Sequence, residues 1–133
     1  MSEQSPMTLI DAHHHLWEPQ ALPYTWLRQI GKPKPFGDPT AIQRNYLPKD
    51  YLQDFTEAKD FELVGTVHVQ ADSALPEPVK ETNWLDQLNS SIPSGIVGFA
   101  DLSKDNLREI LGQHCNSRKF RGVRQIIGRL DNR

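Results

Sequence analysis

Apolar positions along this chain change period several times, and the changes mark its elements. Near the start, "TLIDAH" reads as a short strand ending in polar residues. From Leu16 to Asn45 no period survives, and Pro19, Pro23, Pro33, Pro35 and Pro39 argue against a regular helix or a central strand there. The same stretch holds Trp17, Tyr24, Trp26 and Phe36. Aromatics in a long loop imply that residues 16–46 fold down onto the body, and the part from Trp17 to Phe36 is expected to wall a pocket. "PKDYLQDFTEAKDF" then reads as a helix, with Pro48 in its first turn and Leu52, Phe55 and Ala58 at helical spacing. "ELVGTVHVQA" is β-branched at Val64, Val67 and Val69 and reads as a strand. "PEPVKETNWLDQLNS" predicts a helix with Trp84, Leu85 and Leu88 as its apolar stripe. "GIVGFADL" predicts a buried strand. "SKDNLREILGQHC" predicts a helix with Ser103 as N-cap and Leu107, Ile110 and Leu111 inside. "FRGVRQII" predicts a last strand.

The order is therefore β-loop-α-β-α-β-α-β. Strands alternating with helices of this size indicate parallel βαβ units, an α/β chain with about four strands. At 133 residues the sequence amounts to one domain or less, 1–133.

Composition narrows the function classes. A net charge of −2 shows no bias toward nucleic acid or a membrane surface. The basic cluster "RKFRGVR" is short and spaced like a strand, which disfavours a phosphate patch. No apolar run approaches the roughly 18 residues of a membrane span, and "MSEQSPM" lacks the pattern of a secretory signal. A cytoplasmic setting is the expectation. One cysteine, Cys115, excludes an internal disulfide; from its place in a helix it is expected to be buried and inert.

Chemistry gathers where the strands end. The first closes on Asp11, His13 and His15, the second on His68, Gln70 and then Asp72, the third on Asp101, and the fourth carries Arg124 and Gln125. Parallel α/β folds place their sites at the C-terminal ends of strands. A strand repeats every two residues. Asp11, His13 and His15 should thus share one side, with His14 on the other. Two imidazoles about 7 Å apart by strand rise can reach one divalent ion. Asp11 could orient a histidine from behind. Two histidines are still fewer than the three protein ligands of an ordinary catalytic zinc site.

"IDAHHHLW" resembles the D-x-H-x-H signature on the first strand of the amidohydrolase superfamily. "YTWL", "VHVQAD", "ETNWL", "IVGFADL" and "RGVRQI", in that order, resemble its amidohydrolase-related branch, which includes L-fuconolactone hydrolase and 2-pyrone-4,6-dicarboxylate lactonase. The resemblance runs from Ile10 to about Ile127. It implies a TIM (β/α)8 barrel and hydrolysis of a lactone or similar cyclic ester, commonly with zinc, although some relatives dispense with a tightly bound metal. Carried over by position, His13 and His15 match the metal pair. Arg124 matches an arginine suited to a substrate carboxylate or oxyanion. Gln70 and Trp17 fall where substrate would be held. Glu81 falls in a motif position of less certain role, as do His68 and Asp101 among the polar strand ends. The implied partner is a small lactone or carboxylate.

Such a barrel takes about 250 residues. The sequence accordingly reads as its N-terminal half, without the later histidines and the acidic residue of the last strand. That leaves open edges, an expectation of association to complete the barrel, and no complete catalytic set. The isolated chain is expected to be inactive or nearly so. A decarboxylase-type lyase of the same superfamily and a non-catalytic half-barrel subunit are the alternatives.

Overall fold

The structure is a computed structural model that describes residues 5–71 and 76–129. Asp72 lies outside the described residues. Four parallel strands form one sheet in the order β1 (Met7–His14), β2 (Phe61–Val69), β3 (Gly95–Gly98) and β4 (Phe120–Val123). Sequential order with helical crossovers is the layout expected of consecutive βαβ units. The connecting helices are α2 (Pro48–Phe55), α3 (Val79–Gln87) and α4 (Leu107–His114), and a single turn, α1 (Thr25–Arg28), interrupts the long loop.

The loop is a large part of the core. Leu16, Trp17, Leu22, Tyr24 and Leu27 are buried with Tyr51, Trp84, Leu85, Ile92 and Ile96. Trp17 and Tyr46 pair through their backbones, closing residues 17–46 at its neck. The aromatics thus anchor a proline-rich segment that has no ladder of its own.

Several local expectations are corrected. Leu52 is 42% exposed, and the residue that α2 buries is Tyr51, one position earlier. The helix also stops at Phe55, well short of Ala58. Ser103 does not cap α4: Asn106 holds that position, and Ser103 instead bonds Asp101 Oδ1 through its N–H and its hydroxyl. His114, rather than Leu107, Ile110 or Leu111, is the fully buried residue of α4. Cys115 is exposed, just past the last turn of that helix.

β1 and β4 are the outer strands of the sheet. Ile10 and Val64 lie 62% and 56% exposed along β1 and β2, so the sheet leaves apolar side chains uncovered.

Candidate functional site

A cavity of about 630 Å³ opens at the C-terminal ends of the strands. His13 and His15 come to it from β1 and its exit, Gln70 and Ala71 from just past β2, and Arg124 and Ile126 from just past β4. The long loop supplies Trp17, Trp26, Lys34, Pro35, Phe36 and Ile42. Trp26 stands edge-on to both Trp17 and Phe36, with centroids 5.7 and 6.0 Å apart. The wall is thus an aromatic corner rather than one flat face. No carboxylate lines the cavity among the described residues, while Lys34 and Arg124 do.

The two histidines meet there, with ring centroids 5.0 Å apart and planes nearly perpendicular. His15 Nδ1 lies 2.7 Å from the Val69 carbonyl. A carbonyl only accepts, so the proton sits on Nδ1 and the lone pair on Nε2. That is how a metal-ligating histidine is ordinarily held. Burial, the largest influence, pushes the His15 imidazole below its usual range, and His68, His13 and Arg124 push the same way against the Val69 bond. The ring is therefore held neutral, as a ligand must be. As a donor set these two imidazoles fit a divalent ion, and they are two of the three or four ligands that zinc takes. Among the described residues no group of three or more His, Cys, Asp or Glu is placed to hold one.

Asp11 does not follow the strict alternation expected of it. β1 pairs Asp11 with Thr66 and His14 with His68, three steps against two, so β1 carries one extra residue between them. A bulge of this kind shifts the phase of the side chains beyond it. Asp11 ends up on the side of His14, and both pack on Tyr51. The Tyr51 hydroxyl donates to Asp11 Oδ2 at 2.8 Å, and the His14 and Tyr51 rings are 4.7 Å apart. The other Asp11 oxygen accepts from the His13 backbone N–H at 3.0 Å. Burial would raise the Asp11 carboxyl, but the bonds from His13 and Tyr51 prevail and lower it. Asp11 thus braces the backbone leading into the histidine pair, and its bonds to the His13 N–H and the Tyr51 hydroxyl reach no imidazole. Burial and then His68 lower His14 to about 4, so its ring packs as a neutral group.

His68 and Glu81 lie behind the cavity, not in it. His68 is fully buried and accepts the Leu16 N–H on Nδ1 at 3.0 Å, which leaves the proton on Nε2 for Glu81 Oε1, also at 3.0 Å. The contact is a charge-assisted hydrogen bond from a neutral imidazole rather than an ion pair. Glu81 Oε2 takes the Tyr24 hydroxyl at 2.8 Å. Asp101 is likewise outside the cavity: its Oδ1 accepts from Ser103 and from Gln125 Nε2, tying the ends of β3 and β4 together. The Ser103 hydroxyl and then its N–H, with Gln125 third, lower the Asp101 carboxyl.

His13, His15, Gln70, Arg124 and Trp17 are therefore brought together, whereas Asp11, His68, Glu81 and Asp101 are not. Lys34 and Ile126 line the cavity without having been singled out by sequence. Lys34 sits between two prolines in "KPKPF", a pattern that signals a fixed turn but gives no direction for the lysine. Gln70 lines the cavity yet is 1% exposed, and both of its side-chain polar atoms are buried without a hydrogen-bond partner among the described residues.

Comparison with known proteins agrees with this layout. No family model matches the chain. An uncharacterised protein of Sinorhizobium fredii, y4mH, is 40% identical over 125 residues, covering 92% of this chain and 41% of the relative. The chain thus spans about two fifths of the curated relative it matches. Among solved structures, amidohydrolase 2 from Bifidobacterium longum subsp. infantis aligns with a TM-score of 0.57 at 21% identity, over 73% of this chain and 34% of that one. An amidohydrolase from Burkholderia multivorans, determined with bound HEPES, aligns with a TM-score of 0.54 at 23% identity, over 91% of this chain and 37% of that one. At such identities the likeness shows the fold: these four parallel strands and their helices are laid out as in part of an amidohydrolase structure.

Proposed function

We propose that this chain carries the metal-binding and substrate-binding strands of an amidohydrolase-related hydrolase that opens a lactone or similar cyclic ester. The observation that carries the reading is the convergence of His13, His15 and Arg124 in one aromatic-walled cavity, with the His15 lone pair turned away from Val69. His13 and His15 would hold a divalent ion, zinc by the resemblance to metal-dependent relatives, a metal that imidazole ligands suit. Polarisation of a carbonyl, or activation of water, is what such an ion supplies when bound. Arg124 would hold a carboxylate or a developing oxyanion through its planar fork. Gln70 offers an amide to the ligand, and Trp17 a face against which a ring can lie.

The test is binding to the purified chain, which by itself should turn over little: Zn²⁺, and a panel of five- and six-membered lactones with their ring-opened carboxylates, in wild type, His13→Ala and Arg124→Ala. Saturable Zn²⁺ binding that His13→Ala weakens at least tenfold is expected, with carboxylate binding that Arg124→Ala weakens at least tenfold, on the order of one lost charge-assisted contact. Preference for an acyclic carboxylic acid over every lactone and its ring-opened product would favour a decarboxylase instead. Zn²⁺ binding unaffected by His13→Ala would overturn the metal role.

A second reading, a half-barrel subunit that works in association, draws on the exposed Ile10 and Val64. Light scattering separates it: a strictly monomeric chain that turns over lactones removes the need for a partner.

A further inference from the structure

Three successive carbonyls at the end of β2 hold three side chains of the cavity. Val69 O accepts from His15 Nδ1 at 2.7 Å, Gln70 O from Arg124 at 2.8 Å, and Ala71 O from Trp26 Nε1 at 3.2 Å. The aim of each side chain into the cavity therefore depends on the path of residues 69–71.

That path is held from behind by one carboxylate. Glu81 is 3% exposed on α3 and does not line the cavity. It accepts the Ala71 N–H on both oxygens, at 3.2 and 3.3 Å. The same group takes the Tyr24 hydroxyl from the loop and the His68 Nε2–H from β2. His68 in turn takes the Leu16 N–H, one residue beyond His15. The exit of β1, the end of β2 and the long loop are thus tied, directly or through His68, to Glu81, and Arg124 of the fourth strand's exit rests on the Gln70 carbonyl between them.

We infer that Glu81 is a positioning residue: it sets the aim of His15, Arg124 and Trp26 without touching the pocket's occupant. The inference rests on the cavity of the proposed function being the site. A carboxylate suits the task because it accepts from several donors at once. An amide has one oxygen and two donating hydrogens, so it cannot serve Tyr24, His68 and Ala71 together.

The test uses the ¹⁵N-labelled 133-residue chain in wild type, Glu81→Gln, and a control, Ser117→Ala. The control removes a buried hydroxyl that bonds Asp86 at 2.9 Å, away from the cavity. Two signals are read: hydrogen exchange of the Trp26 indole N–H, and the tautomer of His15 from its ring ¹⁵N shifts. In Glu81→Gln the indole exchange should speed up by about tenfold or more, the equivalent of roughly one net hydrogen bond, and His15 should pass from the Nδ1–H form to a mixture. In Ser117→Ala both signals should stay as in wild type although the chain is less stable. If Glu81→Gln does not fold, Glu81→Asp, which keeps the charge one methylene short, should show the same two changes in smaller degree. Wild-type signals in the folded Glu81 variant would overturn the inference. Neither readout involves metal or turnover, so it stands or falls separately from the proposed hydrolysis.

Discussion

Gly98, at the end of β3, leaves no room for a side chain. A Cβ there would lie 2.7 Å from His114 Cε1, 3.0 Å from His114 Nδ1 and 3.2 Å from Thr82 Oγ1. Carbon atoms settle about 3.5–4.0 Å apart, so the imidazole would have to retreat by about 1 Å. It is pinned on three sides. Its Nε2–H donates to Phe99 O at 2.9 Å, its Nδ1 accepts the Thr82 hydroxyl at 2.9 Å, and its face stacks on Phe120 at 4.9 Å. Overpacking costs about 1–3 kcal/mol, and giving up one of the two bonds adds about 1 kcal/mol. Gly98→Ala is therefore expected to destabilise by roughly 2–4 kcal/mol. At roughly 3–5 °C per kcal/mol for a chain of this size, that lowers Tm by roughly 6–20 °C. Gly112 is the contrast. A Cβ there meets nothing within 4 Å, and the residue lies inside α4, so Gly112→Ala should stabilise by roughly 0.5–1 kcal/mol. Urea and thermal unfolding of both variants decide the matter. A Gly98→Ala chain within about 0.5 kcal/mol of wild type, below the ordinary cost of overpacking, would refute the packing argument.

Other predictions concern pH, the thiol and the buried carboxylate. His114 is pushed below its usual range, mainly by burial, with the Phe99 bond and Glu81 opposing. The unfolded chain then binds a proton near pH 6.5 that the folded chain refuses, so stability should fall as pH drops below about 6.5. His114→Gln should reduce that slope in melts between pH 7.5 and 5.5 without abolishing it, because His14 and His15 are shifted the same way; an unchanged slope would remove His114 from the account. Cys115 is exposed, so a thiol reagent should label the native chain as fast as the unfolded one, whereas protection until unfolding would contradict its placement. Glu81→Ala strands the His68 and Ala71 N–H groups and removes one partner of the Tyr24 hydroxyl, at about 1–3 kcal/mol for each buried donor left unpaired, and should cost at least ~2 kcal/mol in urea unfolding. A loss under about 1 kcal/mol, no more than one ordinary hydrogen bond, would mean that water replaces the carboxylate.

The sequence made the strand–helix alternation readable because each β-branched run and each apolar stripe reports one local environment. It also brought His13, His15, Gln70 and Arg124 to one end of the sheet, since parallel strands share a direction. Asp11 was misplaced because the extra residue in β1 is a property of its pairing with β2, and alternation along one strand carries no trace of it. Glu81 and His68 are 13 residues apart, on a helix and a strand that meet in the tertiary structure. The same holds for Thr82 and His114, 32 residues apart. Leu52 was preferred to Tyr51 because apolarity alone ranks it higher. The Tyr51 ring is buried against His14 while its hydroxyl reaches Asp11, an arrangement that only a partially polar side chain can satisfy.

The most direct measurement is a calorimetric Zn²⁺ titration of the 133-residue chain in wild type, His15→Ala and His14→Phe. One ion per chain is expected in wild type, with an affinity about tenfold or more weaker in His15→Ala and little change in His14→Phe, since His14 packs on Tyr51 on the other side of β1. An isotherm that His15→Ala leaves untouched, or that His14→Phe abolishes, would contradict this expectation, as would the absence of any saturable binding.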